Sequence, residues 1–469
     1  MTIDEPAGSE GVPGGDEPMD HDERRRTRAI QGRHVLESIA DVADWPTGSG
    51  PTGDAEFFCR KQTLIMRDWH RDTVIGVLQG AGIAARIDDL PGSLTRLWLD
   101  SDVPAPAIVR WLETGRPDPD HGLPELAAPV PSNFVSPEHL FYTCPVYSCA
   151  ATEPEVVPAG APPSPAVQTG VDALAPRSGQ GRGISVVIID TGIVDGAAAE
   201  HTWLAGVTGD PDDPYGPPDA NGVRLIRQDG GHGTFTAGCL RAAAPETQVH
   251  VVDGTRQLIR MQGADGAIGA SYEGDLAEII RAALTDPAGS LAVPDVLLVN
   301  FAGPTQDGRP PAGLTALYDD LLQHLRELVI VAPAGNEGDT TRNWPAAFPW
   351  VVGVGALAPD WHDRATFSDY GPTVDVWAPG SDIVNAFPHG QYQYVWPGPL
   401  QGATVAFEGM ARWSGTSFAG PLVAGLIAAR TSTTGQTSRR AWLSLLDLAE
   451  SQAVPGTGPV LYPGQGSGA

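Results

Sequence analysis

From Gly183 onward the chain alternates two hydrophobic patterns. Runs that are apolar at nearly every position begin with Ile184 to Ile189 (I-S-V-V-I-I) and recur at Val249 to Val252, Asp295 to Val299, Leu328 to Ala332 and Val351 to Val354. A strand with one wet face alternates apolar and polar residues; these runs do not, so they predict parallel strands buried on both faces. Between them lie segments with apolar residues three and four apart, such as Asp275 to Leu284 and Gly313 to Leu325, which predict helices. Strand and helix in series predict an α/β domain over residues 181–452, a mostly parallel sheet flanked by helices. Ligands of such sheets gather at the carboxyl ends of the strands.

Upstream the texture differs. Lys61 to Arg67, Ile83 to Ile87 and Ser93 to Leu99 read as strands, and Asp72 to Leu78 and Ala105 to Leu112 as helices. Together they predict a small α+β module over residues 56–116, in the order β-α-β-β-α. Residues 1–55, rich in Gly, Pro and acidic residues without periodicity, are expected to be largely disordered or loosely held, and residues 453–469 to form a flexible tail. Residues 117–180 form a Pro-rich connection, densest at Val156 to Val167, that is either a processing region or a strap wrapping the next domain. Phe134, Leu140 and Phe141 carry apolar surface worth burying and favour the strap for that part.

Composition removes several classes of partner. Against 57 acidic residues stand 29 basic ones, a formal charge of -28, so phosphate backbones and anionic membranes are repelled and nucleic acid is not expected as a partner. No run of 18 apolar residues predicts a membrane helix, and Met1 to Arg28 lacks the apolar centre of a secretory signal, so a cytoplasmic protein without membrane contact is expected. The four cysteines are too few for a disulfide scaffold; Cys144 and Cys149 either stay reduced or close a small loop. No cofactor and no metal are expected, and acidic Gly209 to Gly216 reads as a solvated loop.

Four short motifs carry candidate chemistry. In W-S-G-T-S-F-A-G-P, small residues precede a long apolar run, which predicts a tight turn opening a buried helix with Ser417 in its first turn and Pro421 tolerated there. Helix N-termini present unpaired N–H groups that stabilise an oxyanion. The first apolar strand ends in Asp190 of D-T-G-I; a single such motif cannot make the paired carboxylates of an aspartic protease. G-G-H-G-T-F-T-A-G places His232 at the start of a small-residue helix, where an imidazole can act as a base. V-A-P-A-G-N-E-G ends a strand in Gly335-Asn336, a side-chain amide suited to holding an oxyanion.

In the order Asp190, His232, Asn336, Ser417, with F-S-D-Y-G at Phe367 to Gly371 and A-P-G at Ala378 to Gly380, the span Gly181 to Arg430 resembles the subtilisin-like serine proteases. The resemblance implies a subtilisin-like fold, a polypeptide substrate and an acyl-enzyme on Ser417. It further implies His232 as the base, Asp190 as its orienting carboxylate and Asn336 as the oxyanion donor. Asn300, Phe301 and Ala302 would form one wall of the substrate site and Pro333, Ala334 and Gly335 the other, with Asn343 and Glu337 near the pocket floor and rim. The N-terminal module resembles the prosegments of that family, which implies an intramolecular contact with the catalytic domain; an unrelated module fits the same element order. Leu422 and Phe235 stand where the family often has histidines, and the calcium loop that often follows the catalytic histidine is missing from the sequence. The same residues also suit a peptide macrocyclase or ligase, or a binding protein that kept the fold without turnover.

Overall fold

The computed structural model describes residues 39–45, 57–143, 151–158, 163, 179–218, 222–260, 267–285, 290–395 and 399–466. Cys144 and Cys149 lie outside them.

The N-terminal module begins with β1 (Val42–Trp45) and β2 (Phe57–Arg67), followed by helix α1 (Asp68–Gly80). Strands β3 (Ala84–Leu90) and β4 (Leu94–Asp100) and helix α2 (Ala105–Thr114) complete the predicted order. Leu64, Met66, Leu97 and Leu99 of the sheet pack against Val74, Leu78, Ile108 and Leu112 of the helices. Strand β1 lies in the segment expected to be loosely held. Its pairing with β2, Val42 opposite Arg60, satisfies its backbone by a partner that the local composition does not announce.

The segment that contains Leu140 and Phe141 is a full strand, β5 (Val135–Tyr142), antiparallel to β2. The short β6 (Glu155–Val156) follows. The α/β domain then supplies β7 (Ser185–Asp190), helix α3 (His232–Ala243), β8 (Gln248–Asp253), β9 (Ala267–Tyr272) and helix α4 (Glu273–Ala283). After these come β10 (Val296–Val299), α5 (Ala312–Asp320), β11 (Val329–Pro333), β12 (Val351–Leu357) and β13 (Val376–Pro379). The expected helix to Leu325 stops at Asp320 and continues only as a 3-10 turn at Leu322–His324.

The main sheet is parallel, in the order β13-β12-β11-β10-β7-β8, with Thr208–Gly209 at the far edge. Successive residues of a strand point to opposite faces. Accordingly Val296 and Leu298 enter a core with α3 and the helix α6 (Thr416–Thr434), while Leu297 and Val299 enter the opposite core with α4 and α5. Strand β7 lies inside this sheet, and its last residue, Asp190, is fully buried at the carboxyl edge.

A hairpin, β14 (Ile383–Gln393) and β15 (Thr404–Trp413), leads into α6, and α7 (Ser438–Ser451) follows. The tail expected to be flexible is packed as far as residue 466: Val460 and Leu461 are fully buried, and Leu461 N–H donates to the Trp377 carbonyl. Apolar burial and a bridge to β13 hold it, neither of which its Gly- and Pro-rich composition signals. No described helix is long and apolar enough to cross a membrane.

The two sheets meet at the strap. Strand β9 pairs antiparallel with β5, placing Ala270 opposite Tyr142, so the module sheet continues into the α/β domain. Side chains reinforce the junction. Arg67 of β2 donates to both carboxylate oxygens of Asp320 at 2.7 and 3.0 Å, and Arg96 of β4 donates to Asp275 at 2.7 Å. Paired N–H groups meeting both oxygens of a carboxylate are among the stronger polar contacts a protein makes.

Candidate active site

Helix α6 is apolar on all sides and almost wholly buried, which fixes its first turn rigidly. Gly425 permits this: a Cβ there would come 2.6 Å from the Leu240 carbonyl of α3, so the glycine lets the two helices approach. Ser417 is the second residue of α6 and is buried. Pro421, expected in the first turn, lies inside the helix. Its missing N–H therefore withdraws the usual bond to the carbonyl four residues back, which is that of Ser417.

His232 opens α3 behind Gly231, whose φ of 79° is left-handed and suits glycine. The imidazole is fully buried, and its Nδ1 lies 2.7 Å from Asp190 Oδ1. Asp190 Oδ1 also accepts from the Thr191 N–H at 2.8 Å. Nδ1 must donate to the carboxylate, which leaves Nε2 as the basic nitrogen of a neutral ring. Nε2 has no hydrogen-bond partner among the described residues. The ring stands edge-on to Trp413, with centroids 5.7 Å apart, and 5.4 Å from Phe418, the neighbour of Ser417. The imidazole thus lies against an aromatic wall that includes the residue after Ser417.

Asn336 follows the carboxyl end of β11. Its Oδ1 accepts from both the N–H and the Oγ1 of Thr416 at 2.9 Å, which commits the oxygen and fixes which way the amide faces. Gly335, with φ of 117°, is required here, because a Cβ would lie 2.2 Å from Asn343 Nδ2 and from Asp369 Oδ2. Asn343 is buried and donates to Asp369 at 2.7 Å and to Glu337 at 3.2 Å, so the expected floor and rim residues form one polar cluster behind Gly335. Burial, with Glu337 beside it, holds the Asp369 carboxyl well above the ordinary range.

The remaining wall residues separate by orientation. Asn300 does not offer its side chain to a substrate: its Nδ2 donates to Asp190 Oδ2 at 2.8 Å. Phe301 is fully buried in the core between sheet and α4, against Phe141. Ala302 does present a backbone edge, and it is taken: Tyr142 N–H donates to the Ala302 carbonyl at 3.1 Å, and the Tyr142 carbonyl accepts from the Ala302 N–H at 2.9 Å. Thr143 N–H donates to the Gly269 carbonyl at 3.2 Å. Pro333 and Ala334 are buried at the end of β11.

The chain is held again from Ala151. Ala151 N–H donates to the Ser414 carbonyl at 2.7 Å, Trp413 Nε1 donates to the Thr152 carbonyl at 2.7 Å, and Glu155–Val156 pairs antiparallel with Ala411–Arg412. The strap is therefore bound to the α/β domain at Ala302 and Gly269 on one side and beside the serine turn on the other.

Asp212 is the residue that sequence reasoning missed. It sits in the loop read as solvated, yet it is 5% exposed and accepts from the Gly231 N–H at 2.9 Å and from Arg227 at 3.0 Å. Thr191 Oγ1 accepts from Gly233 N–H and donates to Asp212, so this carboxylate braces the start of the histidine helix. Burial pushes Asp212 up to about 7, overriding the opposing pull of Arg227. Neighbouring prolines and aspartates in the sequence gave no sign of an inward-facing side chain. Among the described residues no group of three or more His, Cys, Asp or Glu is placed to hold a metal ion.

Comparison with known proteins places the chain in a family. The family model described as the subtilase family matches residues 181–449. The thermophilic serine proteinase of Bacillus sp. (strain AK1) is 44% identical over 101 residues, which is 21% of this chain and 20% of that protein. Subtilisin DY of Bacillus licheniformis is 28% identical over 262 residues, 55% of this chain and 80% of that protein. The crystal structure of fervidolysin from Fervidobacterium pennivorans, described as a keratinolytic enzyme related to subtilisin, superposes with a TM-score of 0.52 at 18% identity, covering 87% of this chain and 61% of that one. That likeness speaks for the fold. With the family model matched over more than half its length, the chain belongs to the subtilase family of serine proteases.

Proposed function

We propose that this chain is a serine endopeptidase that hydrolyses polypeptides through an acyl-enzyme on Ser417, and that its own strap restrains it. The observation that carries the reading is the buried 2.7 Å contact between His232 Nδ1 and Asp190, with the His232 ring 5.4 Å from that of Phe418, the residue after Ser417. The roles are those known for subtilisin, carried over by resemblance. His232 Nε2 takes the Ser417 hydroxyl proton as Oγ attacks the scissile carbonyl, and returns it to the leaving amine. Asp190 stays ionised and stabilises the imidazolium. The Asn336 amide and the Ser417 N–H hold the oxyanion. Water then repeats the sequence and releases the acyl group.

Occupation of the Ala302 edge by Tyr142 supports restraint, because strand addition is how an extended peptide would bind there. On this reading the module acts as a tethering domain and residues 140–143 hold the place of a substrate backbone. Intact-mass measurement of freshly purified protein, repeated over time, tests both parts. A fragment beginning between residues 116 and 180, absent from Ser417→Ala, is the expected result. An unchanged mass together with hydrolysis of a denatured protein would leave the enzyme and remove the restraint.

A further inference from the structure

Asn300 directly follows β10 and its amide is fully buried. Its Nδ2 lies 2.8 Å from Asp190 Oδ2, 3.1 Å from Thr236 Oγ1 and 3.3 Å from the Ser417 carbonyl. A carboxylate and a carbonyl can only accept, so the nitrogen, not the oxygen, must face them. Two further observations explain why an amide is placed here. The described bonds to Asp190 Oδ1 come from His232 and Thr191, whereas the one to Oδ2 comes from Asn300. The Ser417 carbonyl, for its part, would ordinarily receive the N–H of residue 421, and that residue is Pro421. The proline breaks the helical ladder at the nucleophile, and the amide of Asn300 takes up the carbonyl it leaves.

We infer that Asn300 is a positioning residue that fastens the carboxylate behind the base to the backbone of the nucleophile, through the carbonyl exposed by Pro421. The inference rests on the reading of Ser417 as nucleophile. Binding Oδ2 stops the Asp190 carboxylate from rotating away from His232 Nδ1 and satisfies an oxygen that is costly to leave bare in a dry site. The same amide keeps the first turn of α6 at a set distance from β7. The consequence is a shorter search by Ser417 Oγ for the base.

The test is the rate at which a fluorophosphonate labels Ser417 in the full chain, followed from pH 5 to 9, with the low-field proton resonance of the His232–Asp190 bond as a second readout. Asn300→Leu, similar in size and without the amide, is expected to slow labelling roughly tenfold or more and to shift or broaden that resonance. Asn300→Asp sets a second carboxylate against Asp190; the pair must share a proton, which adds a further step to the pH profile. Pro421→Ala restores a helical N–H to the Ser417 carbonyl and draws that acceptor from Asn300. Slower labelling without loss of thermal stability is expected, and unchanged labelling would remove the link to the nucleophile. Should Asn300→Leu fail to fold, the profile of Asn300→Asp decides. Labelling, profile and resonance matching the parent in the folded Asn300 variants would overturn the inference. Absence of labelling in the parent would instead overturn the reading of the site.

Discussion

Asn336 gives both lone pairs of its side-chain oxygen to Thr416, at 2.9 Å from the backbone N–H and 2.9 Å from Oγ1. The residue before Ser417 thus aims the amide nitrogen. Replacing Asn336 by Leu is expected to lower kcat by roughly a hundred- to thousandfold with little change in KM, the magnitude being that established for subtilisin and carried over to this chain. Thr416→Val removes one of the two bonds and should cost less, since the backbone donor persists. Steady-state kinetics on a peptide substrate checks both. A Thr416→Val enzyme as impaired as Asn336→Leu would show that Oγ1 does more than aim the amide.

The junction between module and α/β domain yields a second expectation. Asp320 receives both terminal nitrogens of Arg67, so Asp320→Ala strands a guanidinium that is mostly buried. Docking of the module should weaken, and with it the hold of Tyr142 on Ala302. Hydrolysis of a small peptide should become faster than in the parent. A rate equal to or below the parent's would mean that the module does not restrain the site.

Stability should depend on pH through Glu138. This carboxyl is fully buried, and burial raises it to about 7 although Arg96 and Arg60 pull the other way. The folded value lies above the ordinary 4.5, so between pH 4.5 and 7 the folded chain holds a proton that the unfolded chain has lost. The contribution is complete below pH 4.5, falls as pH rises through 7 and is flat beyond, about 3 kcal/mol in all at 1.36 kcal/mol per unit. Asp212, also raised to about 7, contributes with the same sign. Urea unfolding of Ser417→Ala across this window measures the slope, and adding Glu138→Gln should reduce it. An unchanged slope would assign the dependence elsewhere.

Asp212 offers a direct test of the brace beneath the histidine helix. Asp212→Ala leaves the buried Gly231 N–H without its acceptor and Arg227 with Asp229, at 3.2 Å, as its remaining carboxylate, a loss of roughly 1–3 kcal/mol for the orphaned donor. Asp212→Asn keeps an acceptor and should be milder. Thermal unfolding of both in the Ser417→Ala background checks the order, and equal midpoints would contradict it.

Much of the candidate site was legible in the sequence because each of Asp190, His232, Asn336 and Ser417 sits where a local pattern ends: an apolar run, a glycine pair, or a small-residue turn. Local pattern also located the strands of the parallel sheet, whose two-sided burial writes itself as continuous apolar sequence. What stayed hidden depends on distant partners. Val135–Tyr142 is a strand because β2 and β9 lie on either side of it, and Val42–Trp45 because β2 is near. Asn300 resembled a pocket residue because the strand ends there; only the approach of Asp190 and Ser417 turns its amide inward. The acidic loop looked wet because sequence records charge and not direction, and Pro421 looked like a first-turn residue because the helix start could not be fixed to within a turn.

Every proposed role turns on Ser417 being the nucleophile of a peptide-cleaving site. Peptide mapping by mass spectrometry after fluorophosphonate treatment of the full chain tests it most directly. The prediction is a single adduct on Ser417, lost in Ser417→Ala along with hydrolysis of denatured protein while the fold persists. An adduct on another residue, or a Ser417→Ala chain that cleaves as fast as the parent, would contradict it.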